Sequence, residues 1–286
     1  MSLSTKNLYL TPDSPVDLHL HTIYSDGQWT AEQLIDHLQK DKFSLAAITD
    51  HDRVDVLSSI QTLALEKHMP LLVGVEMSTL WRNEMVDLLC YGFDPDNNGL
   101  DALAQDLLRR QKENSQDVYA NLQQQGYTLS TSELSMILEQ TSPLQQFGFA
   151  AALKSHGYGL DQPSVGKILM DAGCEFISND LSAVVQAAHQ SGAICLIAHP
   201  GRGDGFVNFD ASLLDQFCQE FPIDGLEVYY PLHSPQQTEM YREYAQHNHL
   251  LISAGSDSHR PEKPPIKYRA EYCRDLLERL GIPFLQ

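Results

Sequence analysis

Short apolar runs alternate with stretches of helical spacing through most of the chain. Val16 to Leu20 reads as a first strand: side chains alternate along a strand, so Asp17, His19 and His21 share one face while Leu18 and Leu20 take the other. Thr30, followed three residues on by Gln33, is a capping-box signature that opens a helix. Leu45 to Thr49 is a second strand-type run, ending in Asp50-His51-Asp52, and Ser58 to His68 makes a helix stopped by Pro70. Leu71 to Val75 ends in Glu76. Met85 to Tyr91 puts Val86, Leu88 and Cys90 on one face and Asp87 on the other.

The pattern changes near Pro95. From Leu100 to about Gly173 no strand pattern stands out; a long helix begins with Leu103, Leu107 and Leu108 and stops at Gly126. Ser130 with Glu133 caps a second helix, and two more end at Gly157 and Gly173. Strand–helix alternation then resumes. Leu181 to His189 is a helix, Ala193 to Ala198 a buried strand ending in His199-Pro200, and Gly225 to Tyr229 another strand. Ser234 and Pro235 start the next helix as N-cap and first helical residue. Leu250 to Ala254 runs into Gly255-Ser256-Asp257-Ser258-His259, and a last helix reaches Gly281. Strands apolar on both faces and separated by helices predict a parallel sheet or barrel. The barrel is expected in two parts, 15–98 and 179–286, with an all-helical subdomain inserted at 99–178.

Composition narrows the function. With 286 residues and 42% hydrophobic content the chain can bury a large core. Its formal charge of −19 disfavours stable binding of duplex nucleic acid through a basic surface, but allows an anionic substrate if bound metal supplies local positive charge. No run is long and apolar enough to span a membrane, no basic-then-apolar leader opens the chain, and Met1-Ser2-Leu3 carries no pattern. The five cysteines are scattered without a Cys-X-X-Cys pair, which fits a reduced, cytoplasmic setting.

Metal-type side chains recur where strands end: His21, His51, Glu76, His199, Asp257 and His259. In barrels of strand–helix units the carboxyl ends of the strands carry the chemistry. His37, His68, His156, His189, His247 and His249 lie on or near helices and join no motif. Asp17-Leu18-His19-Leu20-His21-Thr22, Ser25-Asp26-Gly27, Thr49-Asp50-His51-Asp52, Gly74-Val75-Glu76, Ala198-His199-Pro200 and Gly255-Ser256-Asp257-Ser258-His259, in this order, closely resemble the PHP (polymerase and histidinol phosphatase) family. The resemblance implies a distorted (β/α)7 barrel of the α/β class, and it is nearest the stand-alone phosphoesterases that act on nucleotides or RNA 5′ ends. It also implies two or three divalent metal ions: His19, His21 and Asp257 on one, Glu76 bridging to a second that His199 completes, and Asp26, His51 and His259 on a third. Imidazole with carboxylate suits manganese, zinc or iron. Asp17, Asp50, Asp52 and Glu227 are expected to support these ligands from behind. The implied reaction is hydrolysis of a phosphate ester by a metal-bridging hydroxide, with Arg202 clamping a substrate phosphate and His233 donating a proton to the leaving group or binding phosphate.

The chain departs from that branch twice. Asp87-Leu88-Leu89-Cys90-Tyr91 has Asp where the family usually has His; Asp87 is read as a ligand of the second ion, the alternative being that it points away. As a ligand it lowers the net positive charge of the site by one, which weakens phosphate attraction; pointing away, it would leave the second ion loosely held. Gln145-Gln146-Phe147-Gly148-Phe149-Ala150 stands where relatives carry an Arg-Pro-His-like phosphate-binding motif, and Gly173-Cys174-Glu175-Phe176 lacks a later Lys. The expected substrate is therefore a small phosphorylated compound, a nucleotide or a short RNA end, with a single phosphoryl group favoured over a bisphosphate. The alternative is a catalytically weak metal-binding regulatory module of the same fold. A metal-dependent amidohydrolase ranks last, because no strand-end Lys is present.

Overall fold

The computed structural model describes residues 4–139, 144–160 and 163–285; Met1-Ser2-Leu3 lies outside them. The chain divides into two units, Met1–Leu103 with Asn179–Gln286, and Ala104–Ser178.

In the first unit one eight-stranded sheet is built from β1 (Pro15–Leu20), β2 (Leu45–Ile48), β3 (Leu71–Trp81), β4 (Glu84–Tyr91), β5 (Ile194–Ile197), β6 (Gly225–Tyr229), β7 (Leu251–Ala254) and β8 (Tyr268–Arg269). The order is β7-β6-β5-β4-β3-β2-β1-β8. Asp257 N–H donates to His19 O at 2.9 Å and Leu20 bridges Ser258, so the chain beyond β7 closes onto β1 and the sheet becomes a nearly closed, distorted barrel. Helices cover it: α1 (Ala31–Lys40), α2 (Leu57–Glu66), then, past the insertion, α7 (Leu181–Gln190), α8 (Ala211–Glu220), α9 (Pro235–His247) and α10 (Arg274–Arg279). Local chemistry accounts for their starts. Thr30 and Gln33 form the expected capping box on α1, and Ser234 with Gln237 forms another on α9 behind Pro235.

The expectation of a parallel sheet needs correction at two strands, β4 and the edge strand β8, which runs antiparallel to β1. β4 runs antiparallel to both β3 and β5, whereas β1–β2–β3 and β5–β6–β7 are parallel. The cause at β4 is a hairpin: β3 does not stop at Glu76 but continues to Trp81, turns through Arg82 and Asn83, and its Gly74–Trp81 stretch pairs with all of β4. Both turn residues have positive φ, 53° and 67°, as a two-residue hairpin whose twist matches its strands requires. Helix α8 was also not foreseen, and its N-cap is Asp210, which accepts from Leu213 N–H.

In the second unit, α3 (Leu100–Gln124, of which Ala104 onward belongs here), α4 (Thr131–Glu139), α5 (Leu144–Ser155) and α6 (Val165–Asp171) pack around Val118, Leu122, Ile137, Phe149, Leu153 and Ile168. Among the described residues it contains no strand. No helix among the described residues is long and apolar enough to cross a membrane.

Candidate metal centre

Strand β1 delivers the first ligand pair. His19 and, one residue past the strand, His21 point the same way, while Leu18 and Leu20 enter the apolar core. Their Nε2 atoms lie 3.0 Å apart and face the same oxygen, Glu76 Oε2, at 2.9 and 3.1 Å. Asp257 Oδ1 stands 3.5 Å from His19 Nε2 and 3.2 Å from His21 Nε2. Ligand atoms of these four residues all lie within 4.8 Å of one another. Two atoms bound at about 2.1 Å to one tetrahedral ion stand about 3.4 Å apart, so the spacing is that of ligands around a cation.

A second group shares His21 and adds Asp26, His51 and His259. His259 Nε2 meets Asp26 Oδ2 at 3.1 Å, and the His21 ring stacks against those of His259 and His51 with centroids 4.2 and 4.7 Å away. A third group is His51, Glu76 and Asp87. Thus His51 and Glu76 are each common to two groups. Asp87 is fully buried, and its ligand atom joins His51; His199, expected beside it, lies outside that group and reaches Glu76 through the other oxygen, Oε1, at 3.0 Å.

The electrostatics call for cations. Burial pushes the Asp87 carboxyl well up, and the neighbouring Glu76 and Asp52 push the same way. Asp257 Oδ1 is buried and faces both imidazoles. Burial alone would lower the His21 pKa, but hydrogen bonds to Asp257 and Glu76 outweigh it and raise it to about 10. Two buried imidazoles facing the carboxylates of Glu76 and Asp257 form a donor set suited to divalent ions.

The supporting residues differ from expectation in whom they hold. Asp17 accepts from the backbone N–H groups of Ser256 and Ile266, Asp50 from Thr22 and Ser25, and Asp52 from Ser78 N–H and Asn179. These carboxylates lock the ligand-bearing backbone rather than the imidazoles. The group that reaches the rings is Glu227: its Oε1 lies 3.0 Å from His19 Nδ1 and its Oε2 accepts from His199 N–H at 2.8 Å. Three residues at the site, Asp52, His199 and Asp257, hold positive φ, a strained backbone stabilised only by its surroundings.

Arg202 sits at the rim, half-buried, with Nη1 3.5 Å from Asp257 Oδ2 and its guanidinium 4.4 Å above the Phe206 ring. Phe206 also meets the His199 ring edge-on at 5.1 Å, and Tyr230 Oη lies 3.3 Å from Asp257 Oδ2. Neither Phe206 nor Tyr230 was singled out in the sequence; the usable signal was Tyr230's place one residue past β6. His233, expected to donate a proton or bind phosphate, is engaged by backbone groups. Its Nδ1 lies 3.0 Å from Val228 O and its Nε2 accepts from Gly201 N–H at 3.1 Å, so no ring N–H faces the cluster.

Comparison with known proteins shows the family. A Chromobacterium violaceum protein named 3′,5′-nucleoside bisphosphate phosphatase is 26% identical over 253 residues, 86% of this chain and 87% of that one. An Escherichia coli protein named 5′-3′ exoribonuclease Rnm is 28% identical over 256 residues, 86% and 85% of the two chains. Among solved structures, one from Chromobacterium violaceum described as an amidohydrolase with bound sulfate superposes with a TM-score of 0.73 at 24% identity, covering 93% of this chain and 96% of that one. The PHP domain model matches residues 17–280, taking in both parts of the barrel and the helices between them, and the chain therefore belongs to the PHP domain family.

Proposed function

We propose that this protein is a hydrolase that cleaves phosphate esters with the help of divalent ions held by His19, His21, Asp26, His51, Glu76, Asp87, His199, Asp257 and His259. The observation that carries this reading is the packing of His19, His21, Glu76 and Asp257 ligand atoms within 4.8 Å of one another, with both imidazoles facing the same two carboxylates. Two or three manganese, zinc or iron ions in such a donor set supply Lewis acidity toward phosphoryl oxygens and toward water.

The chain's own groups orient the rest. Glu227 holds His19 in one tautomer and orientation through Nδ1, leaving Nε2 for the cluster. Arg202, stacked on Phe206, offers a planar donor fork at the rim for the non-bridging phosphoryl oxygens. The barrel residues behind the cluster are buried, which keeps bulk water from screening these charges.

The substrate class rests on the resemblance, whose phosphate-binding Arg and His have neutral counterparts in Gln145 to Ala150. Gln145 and Gln146 are neutral amides bonded to Ser115 Oγ and to the Glu175 carbonyl, at 2.5 and 2.6 Å. With no cation in that stretch, the substrate we infer carries one phosphoryl group, as a small monoester, a nucleotide or the end of a short RNA. The test is phosphate release from a panel of monoesters, bisphosphates and oligonucleotides with added manganese, zinc or iron. His19→Ala and Asp257→Ala should each abolish it; full activity in both variants refutes the assignment.

A further inference from the structure

The turn carrying His199 is strained and is held from one side. His199 has φ of 27°, in the left-handed region that a β-carbon disfavours. Glu227 Oε2 accepts its N–H at 2.8 Å, and Arg202 N–H closes back onto its carbonyl at 2.9 Å. Between them, Gly201 is gripped at both backbone groups. Its N–H donates to His233 Nε2 at 3.1 Å, and its carbonyl accepts from Gln237 Nε2 at 3.1 Å. The Gln237 carbonyl oxygen is taken by Ser234 in the α9 capping box, which leaves the amide nitrogen to reach Gly201. The fit is close: a β-carbon on Gly201 would lie 2.6 Å from Gln237 Nε2 and 2.8 Å from His233 Cδ2.

These contacts define the state of His233. Gly201 N–H can only donate, so Nε2 is bare; Val228 O can only accept, so Nδ1 carries the proton. Both ring nitrogens are engaged by backbone groups, and the ring is walled in by Tyr230 and Tyr241 at 5.1 and 5.0 Å between centroids. A general acid needs an N–H within reach of the leaving oxygen. We propose that His233 is a positioning residue which, together with Gln237, grips Gly201 and so holds the turn presenting His199 and Arg202 to the carboxylate cluster, taking no part in proton transfer. Its catalytic consequence rests on the phosphoesterase reading above.

The experiment compares an aryl phosphate, whose leaving group departs without a proton, with an alkyl phosphate, whose leaving group needs one. His233→Phe removes both backbone ties and should lower kcat/KM on the two esters by the same factor, about 10- to 100-fold as for other groups that orient ligands. Gln237→Leu, which has no acid to lose, should reproduce the pattern more mildly. His233→Gln, able to accept from Gly201 but not to carry a proton, should recover most of the rate. A His233→Phe loss of 100-fold or more confined to the alkyl ester, or no loss on either ester, overturns the proposal. The ring itself gives an answer without turnover: nitrogen NMR of the zinc-loaded protein at neutral pH should find a neutral His233 protonated at Nδ1, and a doubly protonated ring or an Nε2–H tautomer overturns it. Wild type inactive on both esters with every metal would refute the phosphoesterase reading instead, and the ring state would still decide this one.

Discussion

Glu227 joins two candidate ligands from opposite parts of the chain, with one carboxylate oxygen 3.0 Å from His19 Nδ1 and the other accepting His199 N–H at 2.8 Å. It is buried in the middle of β6, tying β1 to the end of β5 though separated by 208 residues from His19. Groups that orient a metal-binding imidazole contribute about 10- to 100-fold to metal affinity or activity. Glu227→Ala should weaken zinc binding by that order, and Glu227→Gln by less, because the amide can keep one bond. Competition with a zinc-selective chelator measures both; unchanged affinity in Glu227→Ala would show that this contact is idle.

Gly255 leaves no room beside that pair. A β-carbon there would sit 2.2 Å from His19 Cβ and 2.5 Å from Glu227 Oε1. Gly255→Ala should therefore cost about 1–3 kcal/mol of stability, as overpacking of a tight core does, and should weaken metal binding at the same time. Thermal melting with and without zinc separates the two effects; a variant as stable and as metal-avid as wild type contradicts the crowding.

Removing metal should make stability pH-dependent in a particular direction. In the metal-free protein the His21 pKa rises to about 10, above its unfolded value of about 6.5, so its ion pairs stabilise the fold below that unfolded value and the contribution is lost as pH climbs toward 10. Asp52, raised to about 7 chiefly by burial, acts in the same sense between its unfolded value near 4 and neutrality. The stripped protein should thus melt at progressively lower temperature from pH 6.5 to 10, whereas bound ions, which replace the protons, flatten the curve. Metal binding at pH 7.5 should release protons, read by calorimetry in buffers of different ionisation enthalpy. A stripped protein whose melting point rises over that range runs against the assignment.

Asp87 supplies a carboxylate to His51 and Glu76. Replacing it with His removes a negative charge from the cluster, and phosphate should bind more tightly, by about three- to tenfold for a charge acting at partly screened range. Inhibition by inorganic phosphate of Asp87→His against wild type is the measurement. Equal inhibition constants would mean that Asp87 does not set the charge of the phosphate site.

Arg202 over Phe206 is a cation–π pair at 4.4 Å. Such pairs contribute about 0.5–2 kcal/mol, so Phe206→Ala should raise KM several-fold with a smaller change in kcat, as the guanidinium loses its fixed plane. Arg202→Lys should do worse, because an ammonium can neither stack as a plane nor donate as a fork. A Phe206→Ala enzyme with KM unchanged would sever the link between ring and substrate binding.

Which residues gather at the site was largely legible, because a strand of period two ending in a polar motif announces both a face and an end. His19 and His21 share a face for that reason alone, and His51, Asp257 and His259 follow strands whose apolar runs are unmistakable. Helix starts were legible too: Thr30 with Gln33, and Ser234 with Pro235, satisfy orphan N–H groups within a few residues of themselves.

What the chain alone left open lies beyond the reach of local pattern. An apolar run looks the same in either direction, so the antiparallel course of β4 was decided by the Arg82–Asn83 hairpin and by pairing along β3. A carboxylate's partner across 208 residues, or the saturation of both His233 nitrogens by Val228 and Gly201, has no sequence period at all. Hydrogen-bond partnership is set by which groups the closed barrel brings within about 3 Å. Residue types and their alternation therefore determined what the site is made of, while folding alone decided which side chains face the cluster and which are spent holding the backbone in place.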